Sequence, residues 1–330
     1  MVKDKFEMID PIGGYFGLEL PPKIENYIHE GGIHLNSGRN ALEYILRGIS
    51  NIKCLWIPYY TCDVVLEPIK KLNIPYRFYS ISDCFELIKN IELEENDYLL
   101  VTNYFGIKDS YINELSSRYG RHLIVDNAQA FYTMPLKGVK TIYSPRKFVG
   151  VPDGGIAYTT ENSNKMEIDY DISYDKCSHL LKRLDLGAEL GYADFRENSI
   201  QLVNQPIKKM SNLTWRILQS INFSLVKKRR RENFKRLHNV LSSVNQLYIS
   251  DMDTFACPMV YPFYTSDSTL KKRLIKNKIF VATYWPNVLE WCKPFDVEYK
   301  LADHIIAIPI DQRYGTEEMD YILKIIESNE

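Results

Sequence analysis

His122-Leu-Ile-Val-Asp-Asn-Ala-Gln129, followed 21 positions after its aspartate by the lysine of Ser144-Pro-Arg-Lys-Phe-Val-Gly-Val-Pro-Asp-Gly-Gly155, decides how this chain is read. Leu123–Val125 is a short, unbroken apolar run, the mark of a strand buried on both faces of a sheet. Asp126 closes that run, and in open parallel sheets ligands sit at the carboxyl ends of the strands. Similar runs surround it: Cys54-Leu-Trp-Ile57, Tyr76-Arg-Phe-Tyr79, Tyr98-Leu-Leu-Val-Thr102 and Gly155-Ile-Ala-Tyr158. Helix-like segments separate them, one over 110–119 with Asp109 placed as N-cap and Gly120 just past the end. Strands alternating with helices predict an α/β domain on a mainly parallel sheet.

The 330 residues suffice for one large domain and a smaller one. Residues 1–35 read as an N-terminal arm, broken by Gly13-Gly14 and Pro21-Pro22, and 36–215 as the large domain. Residues 161–210 are polar and show no clear period. An amphipathic stretch over 211–243 predicts a long linking helix that opens the C-terminal portion, 216–330. Apolar runs at 258–263, 279–284 and 305–310, with a final helix at 317–327 behind Thr316, suggest a small α/β domain there.

Composition narrows the function. The 41 basic and 42 acidic residues nearly cancel, so no bulk field attracts nucleic acid or an acidic membrane. Lys227-Lys-Arg-Arg-Arg231 is the one dense basic run, and it reads as a solvated helix face. No stretch approaches a membrane span. The six cysteines are scattered without a Cys-x-x-Cys pair, which suits a reducing cytoplasm. The histidines show no metal-ligand spacing with cysteines or carboxylates, so no metal site is assigned.

The chemistry gathers around the opening stretch. Pyridoxal phosphate needs a lysine for its aldehyde and a carboxylate to keep its pyridine nitrogen protonated, and Lys147 and Asp126 are such a pair. Taken singly, Asp-Asn after a strand is a turn former and a lysine is a surface residue. Buried at such a place, a lysine would have a lowered pKa and act as a nucleophilic amine. Gln129 adds an amide within reach of a ring oxygen. Ser37-Gly38-Arg39-Asn40-Ala41-Leu42 opens a helix, and N–H groups at a helix N-terminus beside a glycine make an anion site. Ser144 offers a hydroxyl to the same phosphate, and Arg146 a charged donor.

These motifs, in this order, resemble the DegT/DnrJ-type sugar aminotransferases among the fold-type I pyridoxal-phosphate enzymes. Ser37-Gly-Arg-Asn-Ala-Leu42 resembles that family's Ser-Gly-Thr-x-Ala-Leu loop, and Ile57-Pro-Tyr-Tyr-Thr-Cys62 its Val-Pro-Ala-Phe-Thr-Phe segment. Asn103-Tyr-Phe-Gly106 resembles its His-Leu-Tyr-Gly, Asp126-Asn-Ala-Gln-Ala130 its Asp-Ala-Ala-Gln-Ala, and Leu301–Ile310 the strand before its last helix. There are departures. Position 62 holds Cys where the family stacks an aromatic ring, leaving Tyr60 or Tyr104 to cover the cofactor. The family's serine five residues before the lysine is Ile142 here. Its Arg-Met-Ser-Glu helix is represented only by Asp194-Phe-Arg-Glu-Asn198.

The resemblance implies a large domain with a mainly parallel sheet flanked by helices, a small C-terminal α/β domain, and pyridoxal 5'-phosphate as cofactor. It makes Lys147 and Asp126 catalytic, with Ser37, Gly38, Arg39, Tyr60, Cys62, Tyr104, Gln129 and Ser144 around the cofactor. It implies transfer of an amino group from an amino acid, glutamate by family habit, to a keto-sugar, nucleotide-linked or not, in surface-polysaccharide or related glycan synthesis, by a homodimer. The alternatives are another pyridoxal-phosphate activity on a sugar or polyol phosphate, such as a dehydratase, and an inactive member used for binding or assembly. The dehydratase relatives replace the lysine with histidine, so retention of Lys147 counts against them. The lack of a Gly-x-Gly-x-x-Gly after the first strand counts against a plain Rossmann dehydrogenase.

Overall fold

The structure is a computed structural model that describes residues 13–22, 27–159 and 167–328. Seven strands form one sheet: β1 (Ile33–Leu35), β2 (Cys54–Pro58), β3 (Tyr76–Tyr79), β4 (Asp97–Thr102), β5 (Leu123–Asp126), β6 (Lys140–Tyr143) and β7 (Gly155–Tyr158). Their order is β1-β7-β6-β5-β4-β2-β3. All pairings from β3 to β6 are parallel, while β7 runs antiparallel to both β6 and β1. The expected sheet is therefore present, with two additions. Ile33–Leu35, read as the end of the arm, is an edge strand of the sheet. Lys140–Tyr143 was not among the apolar runs.

Alternation along the central strands sorts the core into two layers. Leu99 and Val101 of β4 and Leu123 and Val125 of β5 join one apolar cluster, while Leu100 and Ile124 join a second on the opposite face. The second is closed by α1 (Gly38–Gly48) and α2 (Leu66–Lys71), through Leu42, Ile45 and Ile69. The first takes Ile112 and Leu115 of α3 (Asp109–Tyr119). Asp109 is the first residue of α3 rather than its cap. Its carboxylate instead accepts from Asn103 Nδ2 (2.6 Å), Thr133 Oγ1 (2.7 Å) and the Ala256 N–H (2.7 Å).

Residues 161–210, without period in the sequence, contain two helices, α4 (Ser178–Leu186) and α5 (Ala188–Gln201), packed as a hairpin. The long helix is two: α6 (Asn212–Gln219) and α7 (Phe223–Leu241). The break is written in local chemistry, since the Asn222 side chain caps α7 by accepting the Leu225 N–H at 2.8 Å. Beyond it, β8 (Val260–Tyr264) pairs antiparallel with β9 (Ile305–Pro309). The run at 279–284 forms no strand; Ala282 alone bridges to Ala307. Helices α8 (Leu270–Lys276), α9 (Pro286–Trp291), α10 (Val297–His304) and α11 (Thr316–Glu327) complete this portion. Gly315 caps α11, its N–H donating to Glu318 Oε2 at 2.7 Å.

The basic run on α7 is not a wholly solvated face. Arg230 is buried, donating to Gln312 Oε1 (3.1 Å), the Met259 carbonyl (2.9 Å) and the Phe148 carbonyl (3.0 Å). Arg231 donates to the carbonyls of Met252, Phe255 and Ala256. Two of the five cations thus pin chain segments.

Candidate active site

Parallel pairing of β4, β5 and β6 brings Thr102, Asp126 and Ile142 into one row at the carboxyl edge of the sheet. Asp126 is buried there, and one oxygen accepts the Ala128 N–H at 2.8 Å. Burial raises its pKa, while the charge of Lys147 and that N–H hold it back. The chain leaves β6 through Ser144 and a single turn, Pro145–Lys147, and that turn carries the lysine towards the aspartate. Pro145 and Phe148 are buried on either side, and the Phe148 carbonyl accepts from Arg230 and from Gln312 Nε2 (2.9 Å). The turn is fixed by its neighbours while the Lys147 side chain stays exposed. That corrects the expectation of a buried lysine: it lines the open wall of a cavity of about 590 Å³.

Cys62 shares this place. Its thiol pKa is raised by burial and drawn back by the charge of Lys147. Tyr60 and Tyr104 lie deeper. Both rings are buried, packed 5.3 Å apart with Trp285 and Phe85 against Tyr60, and Tyr104 Oη donates to the Tyr60 carbonyl at 2.8 Å. Gln129 is fully buried. Its Oε1 accepts the Phe105 N–H at 2.8 Å, and its Nε2 has no partner among the described residues. Burying an amide donor unpaired is costly, so a group that accepts from it would recover stability.

The N-terminus of α1 lies against the lysine turn. Ser37 caps it, its Oγ accepting the Asn40 N–H at 3.1 Å. A Cβ on Gly38 would meet the Ser144 side chain at 3.6 Å, so Gly38 and the Ser144 hydroxyl are neighbours. Arg39 lies 3.5 Å from Glu67, yet its Nε and Nη1 are buried without a hydrogen bond, as is Arg146 Nε. Arg146 has its pKa pushed down to about 10, first by burial and then by the charge of Arg39. Two guanidiniums, a hydroxyl and helix N–H groups converge here, and among the described residues no carboxylate hydrogen-bonds either cation. A phosphate suits that donor set.

Several contributors were invisible in the sequence. Asp194–Asn198 falls within α5, and Ser211, the cap of α6, is the residue drawn to the site's periphery. The Ser211 N–H and Oγ each reach the Asp153 carboxylate at 3.0 Å, and Thr214 Oγ1 donates to it as well. The C-terminal portion also reaches the site. Asn287 Nδ2 donates to the Thr61 carbonyl (2.9 Å), its Oδ1 accepts the Asp63 N–H (3.3 Å), and Tyr284 is close enough to Cys62 for their charges to interact. These contacts span more than 200 residues of chain, and no local pattern signals them.

No protein-family model matches the sequence, and no curated protein does either. Solved structures do match. DesV of S. venezuelae, in complex with a ketimine intermediate, superposes with a TM-score of 0.63 over 93% of this chain and 89% of its own, at 15% identity. This is the fold of the sugar aminotransferases. A DegT DnrJ EryC1 StrS aminotransferase from Brucella abortus matches over 89% of this chain and 84% of its own (TM-score 0.59, 16% identity). Spr1654 from Streptococcus pneumoniae, in its PLP form, matches over 91% and 87% (TM-score 0.61, 14% identity). The chain therefore has the fold-type I architecture, and the seven-stranded sheet that carries Asp126 is its large sheet. Among the described residues no group of three or more His, Cys, Asp or Glu could hold a metal, and no helix is long and apolar enough to cross a membrane.

Proposed function

We propose that this protein is a pyridoxal-phosphate-dependent aminotransferase that acts on a keto-sugar. One observation carries the reading: Lys147 lies close enough to the buried Asp126 at the sheet edge for its charge to act on that carboxylate, beside an arginine-flanked helix N-terminus with buried donors that have no partner among the described residues. Ser37, Gly38, Arg39, Ser144 and Arg146 would hold the phosphate. Asp126 would hold the ring nitrogen, with Gln129 Nε2 donating to the ring and Cys62 beside it. Tyr60 and Tyr104 would support that wall from behind. When bound, the cofactor supplies an aldehyde that condenses with amines and a ring that accepts electron density from the reacting carbon.

The residues divide the remaining work. As a carboxylate, Asp126 would place negative charge in a desolvated position, where it stabilises positive charge on a partner far better than in water. Lys147 Nζ would hold the cofactor and would be the base that removes and returns the proton at the carbon bearing nitrogen. Its exposure leaves it free to swing between these tasks. Glutamate as amino donor, a nucleotide-linked sugar, a glycan pathway and a homodimer are the finer parts of the proposal, drawn from the resemblance. The dehydratase alternative is weaker, because Lys147 is retained close to Asp126.

The visible spectrum of the purified protein tests this, beside Lys147→Ala. Added pyridoxal phosphate is expected to give a yellow band that the variant lacks and that L-glutamate bleaches. A protein that acquires no lysine-dependent band would overturn the proposal, and a band that no amino acid bleaches would exclude transamination.

A further inference from the structure

The peptide that follows Lys147 is held from two directions. A carbonyl oxygen has two lone pairs, and at Phe148 both are taken: Arg230 Nη2 donates at 3.0 Å and Gln312 Nε2 at 2.9 Å. The two donors also bind each other, since Arg230 Nε donates to Gln312 Oε1 at 3.1 Å. Three hydrogen bonds thus close a triangle on one carbonyl, with the Arg230 guanidinium 4.8 Å from the centre of the Phe148 ring.

The two donors differ in setting. Arg230 is buried on α7 and committed also to the Met259 carbonyl at 2.9 Å. Gln312 is only half-buried, in the loop that follows β9, and it lines the cavity of about 590 Å³ that includes Lys147. That loop is itself fixed. One turn along α7 from Arg230, the buried Asn233 gives its Nδ2 to the carbonyls of Ile310 (3.1 Å), Asp311 (3.3 Å) and Tyr314 (3.0 Å). The Lys147 side chain is exposed, so its direction is set by the backbone that carries it. The Phe148 carbonyl, one residue on, ties that backbone to the fixed loop.

We infer that Gln312 is a positioning residue for Lys147: it holds the neighbouring peptide and thereby aims the amine, so that the reactivity of the lysine depends on the loop behind β9. The inference rests on the aminotransferase reading, which gives Lys147 its task. Arg230, buried with three acceptors, carries stability, while Gln312 carries aim. Substitution at 312 separates the two. Gln312→Glu keeps an acceptor for Arg230 Nε but sets a carboxylate oxygen against the Phe148 carbonyl oxygen, where two acceptors repel. Gln312→Met keeps the length and removes both bonds.

Three measurements on the full-length protein test this. They are urea unfolding, amide hydrogen exchange over 145–151 without ligand, and the rate at which pyridoxal phosphate forms a borohydride-trapped adduct on Lys147, located by peptide mass spectrometry. In Gln312→Glu the urea midpoint should stay at or above that of the unaltered protein. Exchange over 145–151 should rise about fivefold, the worth of one hydrogen bond. Adduct formation should slow about tenfold, since a shift of about 1 Å costs about a hundredfold at a positioned group and Arg230 still holds the carbonyl. Gln312→Met should slow the adduct alike and also lower the midpoint, because Arg230 loses an acceptor. An unaltered adduct rate or unaltered exchange in Gln312→Glu would each overturn the inference. So would slowing confined to Gln312→Met, in step with its lost stability. If the unaltered protein forms no adduct at Lys147, the aminotransferase reading fails; faster exchange in Gln312→Glu then still upholds the hold on the turn, and unchanged exchange removes that too.

Discussion

Gly155→Ala tests the anion cradle through a single methyl group. A Cβ on Gly155 would lie 2.0 Å from the Ser37 carbonyl oxygen, 2.2 Å from its carbon and 2.6 Å from the Gly38 nitrogen. All three are backbone atoms, so no rotamer change relieves the clash. Ordinary contact begins at about 3.4 Å, and the loop before α1 must retreat by about 1.4 Å. Overpacking of this kind costs about 1–3 kcal/mol. The retreat also carries off the N–H groups that would meet the phosphate, and a misplacement of about 1 Å costs about a hundredfold at a positioned site. Urea denaturation of the protein without ligand measures the first effect, and spectrophotometric titration with pyridoxal phosphate the second. Gly38→Ala is the control, since its methyl would only touch Ser144 at 3.6 Å and should leave stability nearly unchanged. Unaltered stability and cofactor affinity in Gly155→Ala would refute the reasoning.

Other expectations follow from single sites. On the proposed function, Asp126→Asn keeps the shape and removes the charge, so transamination should slow by about 10²–10³ while the cofactor would still bind; single-turnover kinetics with the proposed donor glutamate measure this. Arg230→Leu takes their donor from the Met259 carbonyl and Gln312 Oε1 and leaves the Phe148 carbonyl to Gln312 Nε2, and should cost about 3 kcal/mol in denaturant unfolding. Burial holds His29 and His34 near pKa about 4 against 6.5 in the free side chain, so the unfolded chain binds more protons between those values. Stability should therefore be whole above about pH 6.5 and drain as pH falls towards 4. Asp126 and Asp153, raised by burial, pull the other way and make the slope shallower. His29→Gln should flatten it further, as urea midpoints across that window would show.

The sheet was legible where its strands were apolar on both faces. All six residues of Asp97–Thr102 are buried, and that strand reads plainly. Lys140–Tyr143 does not, because its first residue is a lysine; the structure buries it by giving Nζ the Arg121 carbonyl at 3.2 Å and the Tyr98 ring at 5.3 Å. The α4–α5 hairpin was hidden for the opposite reason. Leu181, Leu184, Leu186 and Leu190 face outward, so no apolar stripe marks a core side. The placement of Asp126 at a strand end and of Lys147 in a turn was readable because strand ends and turns are local features. Asn287, Tyr284 and Arg230 were not, since their roles exist only once distant segments meet.

Arg230 gives the chain an order of completion. The lysine turn hangs from the Phe148 carbonyl, which is held by a helix 82 residues later and by Gln312, 164 residues later. During synthesis the large sheet and its lysine emerge long before either anchor. On the proposed function, cofactor capture would be a late event, and a nascent chain that stops short of Gln312 would carry Lys147 without the brace that fixes its turn.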